Sequence, residues 1–129
     1  MRDRFRLLYT GARDLDRPGD RDTIWADLDG IYARRGPLLL VHGSCSRGGD
    51  AHAEAWRAHA AERGLDVAIE RHPAPWSALG RAAGPYRDGY MLGRGADGVL
   101  AHVTAASQGA RNTAAYAQHL GIPLIRRQR

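Results

Sequence analysis

The chain has 129 residues, 43% of them hydrophobic and 26% charged, which is the make-up of one ordinary globular domain and excludes a disordered chain. No run of 18 apolar residues occurs and "MRDRFRLLYTG" has no apolar core, so a membrane span is excluded and no secretory signal is expected. One cysteine excludes an internal disulfide, and the net charge of +5 comes from arginines interleaved with acids, lysine being absent, so a soluble, cytoplasmic protein with a solvated basic surface is expected.

Arg4–Thr10, "RFRLLYT", reads as a strand ending at Gly11, and "ARDLDRPGDRD" after it reads as a polar loop. Thr23–Arg35 carries Ile24, Leu28, Ile31 and Tyr32 at helical spacing, with Gly36-Pro37 as its stop. Leu38–His42 is a short apolar run with turn signals on both sides, the pattern of a buried parallel strand. Asp50–Arg63 reads as a second helix closed by Gly64, with Trp56 in its core face, and Leu65–Arg71 as a third strand. The stretch "HPAPWSALGRAAGP" reads as a long loop. Tyr86–Arg94 then reads as a helix, Asp97–His102 as a strand, "VTAASQGARN" as a turn, Thr113–Leu120 as a helix and Ile122–Ile125 as a last strand.

Alternation of this kind predicts a single α/β domain over residues 1–129. Right-handed crossovers give a mostly parallel five-stranded sheet, order 3-2-1-4-5, with helices on both faces. The winding reverses between strands 1 and 4, and ligands bind outside the carboxyl ends of the strands at such a point. Three turns leave that edge: Gly11–Asp14, Gly43–Asp50 and Ser107–Asn112. Each pairs glycine with arginine. Glycine lets backbone approach a ligand, helix N-termini offer free N–H groups, and arginine offers a bidentate fork for phosphate.

Neither common phosphate motif is present. Gly48 is followed by Gly49-Asp50 instead of Lys-Ser/Thr, and no GxGxxG follows the first strand. The glycines are also open to a plainer reading, as a tight turn with Asp50 as a helix cap. Cys45 has no visible His/Asp partner pattern, so a structural or ligand-contact role is placed ahead of covalent chemistry. His42 either touches ligand or bonds a neighbouring loop. The six histidines show no metal-ligand spacing, so neither metal nor resident cofactor is expected. Trp76 either stacks on a base or pins the loop, with pinning placed first.

The segments "LLYTGARD", "VHGSCSRGGDAHAEAW", "HPAPW", "GRAAGPYRDGYMLGRGADGVLAH" and "SQGARNTAAYAQHLGIPL" stand in the order seen in the SLOG superfamily. More narrowly, they resemble its YspA (cpYpsA-related) branch, from about Arg6 to Ile125. The resemblance implies a Rossmann-like fold and a nucleotide or nucleotide-derived ligand, NAD-derived ones included, at the edge described. It also implies a distant relation to the Lonely Guy-type phosphoribohydrolases, which cleave base from nucleoside monophosphate.

The chain departs from the branch pattern at three points. Ala12 replaces a serine of the first turn, Asp88 replaces an asparagine in Gly84-Pro85-Tyr86-Arg87-Asp88, and Gly109-Ala110 lacks a threonine hydroxyl. No acid follows Gly109, so the glutamate of the Lonely Guy turn has no counterpart.

These readings make Gly11, Arg13, Gly43, Ser44, Cys45, Ser46, Arg47, Gly48, Gly49, Asp50, Arg87, Ser107, Gly109 and Arg111 the expected ligand-binding set. If the protein turns substrate over, N-glycosidic or phosphoester hydrolysis is the class, with Asp14, Asp50 and Asp88 as candidate acid/base groups. A sensor without turnover is the second reading. A nucleic-acid-associated protein is the third, and no aromatic-basic patch supports it. A homodimer is expected, with Tyr86, Tyr90 and Met91 of the third helix as its apolar contact.

Overall fold

The structure is a computed structural model and describes residues 3–129. Five parallel strands form one sheet in the order β3-β2-β1-β4-β5. They are β1 Phe5–Gly11, β2 Leu38–His42, β3 Val67–Arg71, β4 Gly98–Val103 and β5 Leu124–Gln128. The expected topology is therefore the observed one. The helices are α1 Asp20–Arg35, α2 Gly49–Glu62, the short α3 Trp76–Leu79, α4 Ala83–Gly93 and α5 Gln108–His119.

Strand residues alternate between two faces, and each face has its own core. Leu7, Tyr9, Leu38 and Leu40 pack with Ile24, Leu28 and Ile31 of α1 and with Ala53, Trp56 and Ala60 of α2. Leu8, Val41 and Val99 pack with Met91 and Leu92 of α4 and Ala117 of α5. All six residues of β4 are buried, as befits an inner strand, whereas β5 exposes Arg126 and Arg127 on the sheet edge.

Several element bounds differ from the sequence reading, each for a local reason. Helix α1 starts at Asp20, three residues early, because Gly19 takes a left-handed conformation and the Asp20 carboxylate accepts the Arg17 N–H at 2.8 Å. Leu65 closes α2 instead of opening β3: its N–H donates to Ala60 O beyond the left-handed Gly64. The expected long loop contains α3 and a 3-10 turn, Gly80–Ala82. Helix α4 starts ahead of Pro85, because a proline in the first turn gives up an N–H that has no partner within the helix. Helix α5 starts five residues early. In β5, Ile122 and Pro123 belong to the preceding turn, and pairing with β4 begins at Leu124.

Candidate functional site

The carboxyl ends of β1, β2 and β4 open on a cavity of about 690 Å³. The first two turns meet backbone to backbone on one side of it. The Gly49 N–H donates to Ala12 O at 3.0 Å, and a methyl placed on Gly49 would lie 2.6 Å from both Gly11 Cα and Tyr9 Oη. No side chain fits there. Gly48, at φ +71°, packs in the same way on the backbone of Ala12 and Arg13. These glycines let two turns touch each other, and neither Gly48 nor Gly49 lines the cavity.

Of the expected ligand set, Gly11, Arg13, Gly43, Cys45, Arg47, Asp50, Arg87, Ser107 and Gly109 line the cavity, as do Asp14 and Asp88. Ser44, Ser46 and Arg111 do not. Ser44 and Ser46 face a smaller cavity of about 290 Å³, beside His42, Glu54 and Arg71. There His42 Nδ1 accepts the Ser44 N–H at 2.9 Å, leaving Nε2, 3.1 Å from Glu54, to carry the proton. His42 thus bonds its neighbours, the plainer of its two readings. Arg111 reaches back along its own helix to Gln108 at 3.2 Å.

The arginines differ in how free they are. Arg87 donates to Gly43 O, to His72 O at 3.3 Å and to Asp88 at 2.6 Å, tying α4 to the ends of β2 and β3. Gly43 has no side chain because that guanidinium occupies the space. Arg13 and Arg47 are exposed at the rim. The Arg13 guanidinium stands 5.5 Å from the centre of the Trp76 ring, so two loops meet across the mouth.

The carboxylates also differ. Asp14 accepts from Thr104 Oγ1 at 2.7 Å, and that hydrogen bond, with Arg129 nearby, holds its pKa below the usual carboxylate range. Asp50 is 6% exposed, and burial pushes its pKa up against the Cys45 N–H it accepts at 3.2 Å.

Several lining residues escaped the sequence reading. Thr113 is 2% exposed, and its Oγ1 has no hydrogen-bond partner. Tyr116 is 47% exposed on the same wall. With Gly109 and Asn112 they form an i, i+3, i+4, i+7 face, a signal present in the sequence but masked by starting the helix at Thr113. Tyr9 lines the floor, and behind it runs a chain of contacts from the core to the surface. Tyr9 Oη lies 3.2 Å from His102 Nδ1, His102 Nε2 lies 2.9 Å from Asp27, and Arg127 brackets Asp27 at 3.2 Å. Burial keeps His102 below its ordinary pKa, although the Asp27 hydrogen bond pulls the other way. Burial likewise keeps the Tyr9 phenol protonated. The paired residues sit far apart in sequence, so no local spacing joins them.

Among the described residues no group of His, Cys, Asp or Glu is arranged to hold a metal ion, and no helix is long and apolar enough to cross a membrane. No solved structure matches the chain significantly. The chain is 37% identical over 121 residues to "Gene 61 protein" of Mycobacterium phage D29, covering 93% of this chain and 94% of that protein. A family model matches residues 5–78, the half that carries β1 to β3 and the two glycine-packed turns. By both measures the chain belongs to the YspA, cpYpsA-related SLOG family.

Proposed function

We propose that the protein binds a nucleotide or a nucleotide-derived small molecule, NAD-derived ones included, in the cavity at the strand ends. The observation that carries this reading is the cavity itself. Its volume of about 690 Å³ suits a ligand of nucleotide size. Its walls offer what such a ligand presents: exposed aromatic rings, Trp76 and Tyr116, for a base; rim arginines, Arg13 and Arg47, for phosphate; and the unpartnered Thr113 hydroxyl for a polar edge. Family membership supports the nucleotide class. A homodimer remains part of the reading through Tyr86 and Tyr90, both exposed on α4. Met91 is 2% exposed and faces the core, so it is removed from that contact.

Isothermal titration with AMP, NAD and ADP-ribose tests the binding. At least one is expected to bind, with Arg13→Ala weakening it by about 1.5–3 kcal/mol if one charged hydrogen bond is lost. Absence of binding by all three, together with no ligand released from the purified protein on denaturation, would falsify the reading. Light scattering tests the dimer, and a mass near 14.1 kDa across micromolar concentrations would sink it.

A further inference from the structure

Between β3 and α4 the chain runs past the mouth of the cavity, and it is fastened only at its ends. His72 is one end. Its N–H donates to His42 O at 2.9 Å, its ring meets Glu70 at 2.6 Å, and its carbonyl accepts from Arg87 at 3.3 Å. Ala83 and Gly84, both buried, are the other end. Every one of residues 76–82 is exposed, and neither α3 nor the 3-10 turn after it buries a side chain.

Hydrogen bonding sets the segment apart in the same way. The N–H groups of Ala78 and Leu79 donate to Pro75 O at 3.1 and 3.0 Å, and the Gly80 N–H donates to Trp76 O. Among the described residues, no hydrogen bond joins residues 76–82 to the sheet or to α1, α2 or α5. Two side-chain contacts hold the segment down. The Trp76 ring lies over Gly84, where an added methyl would meet it at 3.5 Å, and the Arg13 guanidinium of the β1 turn stands 5.5 Å from the ring centre.

The sequence builds in this looseness. Pro73 and Pro75 remove two backbone donors ahead of α3. Four residues are too few to hold a helix by themselves, and Gly80, at φ +55°, turns the chain out of it. Trp76 and Leu79 lie three apart on one face of α3 and stand 49% and 41% exposed. A segment tied at both ends that buries nothing between them opens at little cost. Arg87 shows the contrast, since it ties α4 to the strand ends through three partners.

On the reading that the cavity holds a nucleotide-derived ligand, we propose that residues 73–82 are a strap that gates the cavity, with the Arg13–Trp76 contact as its latch. When the latch parts, the strap swings about His72 and Ala83, and Trp76 leaves the mouth. A ligand enters through the gap. Its phosphate then takes the Arg13 guanidinium and its flat ring takes the Trp76 face, so both halves of the latch close on the ligand instead of on each other. The exchange costs little, because an exposed contact of this kind is weak. The bound ligand also covers apolar surface on Trp76 that faces water in the free protein, which holds the strap shut.

Amide hydrogen exchange followed residue by residue by NMR tests the strap. In the free protein the bonded amides of Ala78, Leu79 and Gly80 are expected to exchange about a hundredfold faster than those in the middle of α4 and α5. Arg13→Ala leaves the strap's own sequence intact. It is expected to speed those three amides roughly two- to fivefold further, the factor set by loss of one exposed cation–π contact, with α5 unchanged. Titration with AMP, NAD and ADP-ribose reads binding separately. A saturating amount of whichever binds is expected to slow the three amides about tenfold. Strap amides that exchange as slowly as those of α4 overturn the gate and leave ligand binding standing. Strap exchange that a saturating nucleotide leaves unchanged does the same. Equal strap exchange in wild type and Arg13→Ala removes the latch, and the proposal with it. Binding of none of the three compounds sinks the cavity reading and the gate together.

Discussion

The two sides of the cavity are built by opposite means. On the β1–β2 side, backbone lies against backbone: Gly11 and Gly49 leave no space for a methyl between them. On the α3–α5 side, side chains do the work, and Trp76 and Tyr116 stand roughly half exposed. The glycine-rich turn "GSCSRGGD" looks in isolation like a phosphate cradle. In place, two of its glycines serve the neighbouring turn, and the groups left for a ligand come from Arg47, Cys45 and Asp50. The lesson is that glycine can mark a close approach without saying what approaches.

If that contrast is right, substitutions on the first side cost stability and those on the second cost binding. Gly49→Val is the harshest case. Its side chain meets Gly11 Cα and Tyr9 Oη at 2.6 Å, and such overpacking is expected to cost about 3 kcal/mol or more. A thermal melt should fall by roughly 10 °C; a variant that melts like wild type means the turns are not in contact. Arg87→Ala comes next: the residue sits on α4 but reaches across to the strand ends, so its loss strips the carbonyls of Gly43 and His72 of a donor and leaves Asp88 unpaired. A loss of about 2 kcal/mol is expected in urea unfolding.

Acid sharpens the comparison from inside the first side. The folded pKa of His102 lies below its ordinary value because the residue is buried. Its contribution to stability is therefore complete above about pH 6.5 and is lost as pH falls through the lower folded value, where the unfolded chain takes up the proton first. Glu70 acts in a second, lower window. Hydrogen bonds from the Arg6 guanidinium hold it at about 2, so its share is lost between about pH 4.5 and that value. Unfolding free energy measured from pH 7.5 to pH 3 should decline in both windows, and His102→Gln should flatten the first. An unchanged slope near pH 6 in that variant removes His102 from the account.

On the second side, Trp76→Ala should leave stability within about 1 kcal/mol, because the ring is 49% exposed and its contact with Arg13 is a surface one. Nucleotide affinity should nevertheless drop. Equal affinity in wild type and variant would return Trp76 to the role of a loop pin. The smallest effect belongs to Cys45→Ser, which should keep binding within roughly tenfold, or about 1.4 kcal/mol. A covalent adduct on the Cys45 thiol would reverse that placement.

The sheet was legible because buried parallel strands announce themselves as apolar runs, and "PLLLV" and "DGVLAH" did so. The α3–α4 stretch was not, since Pro85 reads as a stop unless its place in a first turn is known. On α5 the same kind of boundary error hid the wall formed by Thr113 and Tyr116. The site was legible where one turn supplies several residues, as with Arg13 and Asp14. It was illegible where strands bring distant residues together, as in the Asp27–His102–Tyr9 chain. No local pattern encodes a partner 75 or 93 positions away.

The seam between β1 and β4 has a consequence for how the molecule comes into being. Arg6 and Asp97 bond across it although 91 positions separate them, whereas β1, α1, β2, α2 and β3 follow one another in both sequence and space. Closing that long loop is the entropically slow event. Until it occurs, β1 presents an unpaired edge able to recruit another chain, and α4 and α5 have no docked β4 on which to raise the cavity's second wall. Refolding followed by Trp25 and Trp56 fluorescence should therefore run ahead of the return of nucleotide binding. Aggregation losses should rise with concentration in that interval, and coincident kinetics for the two signals would show that both halves assemble at once.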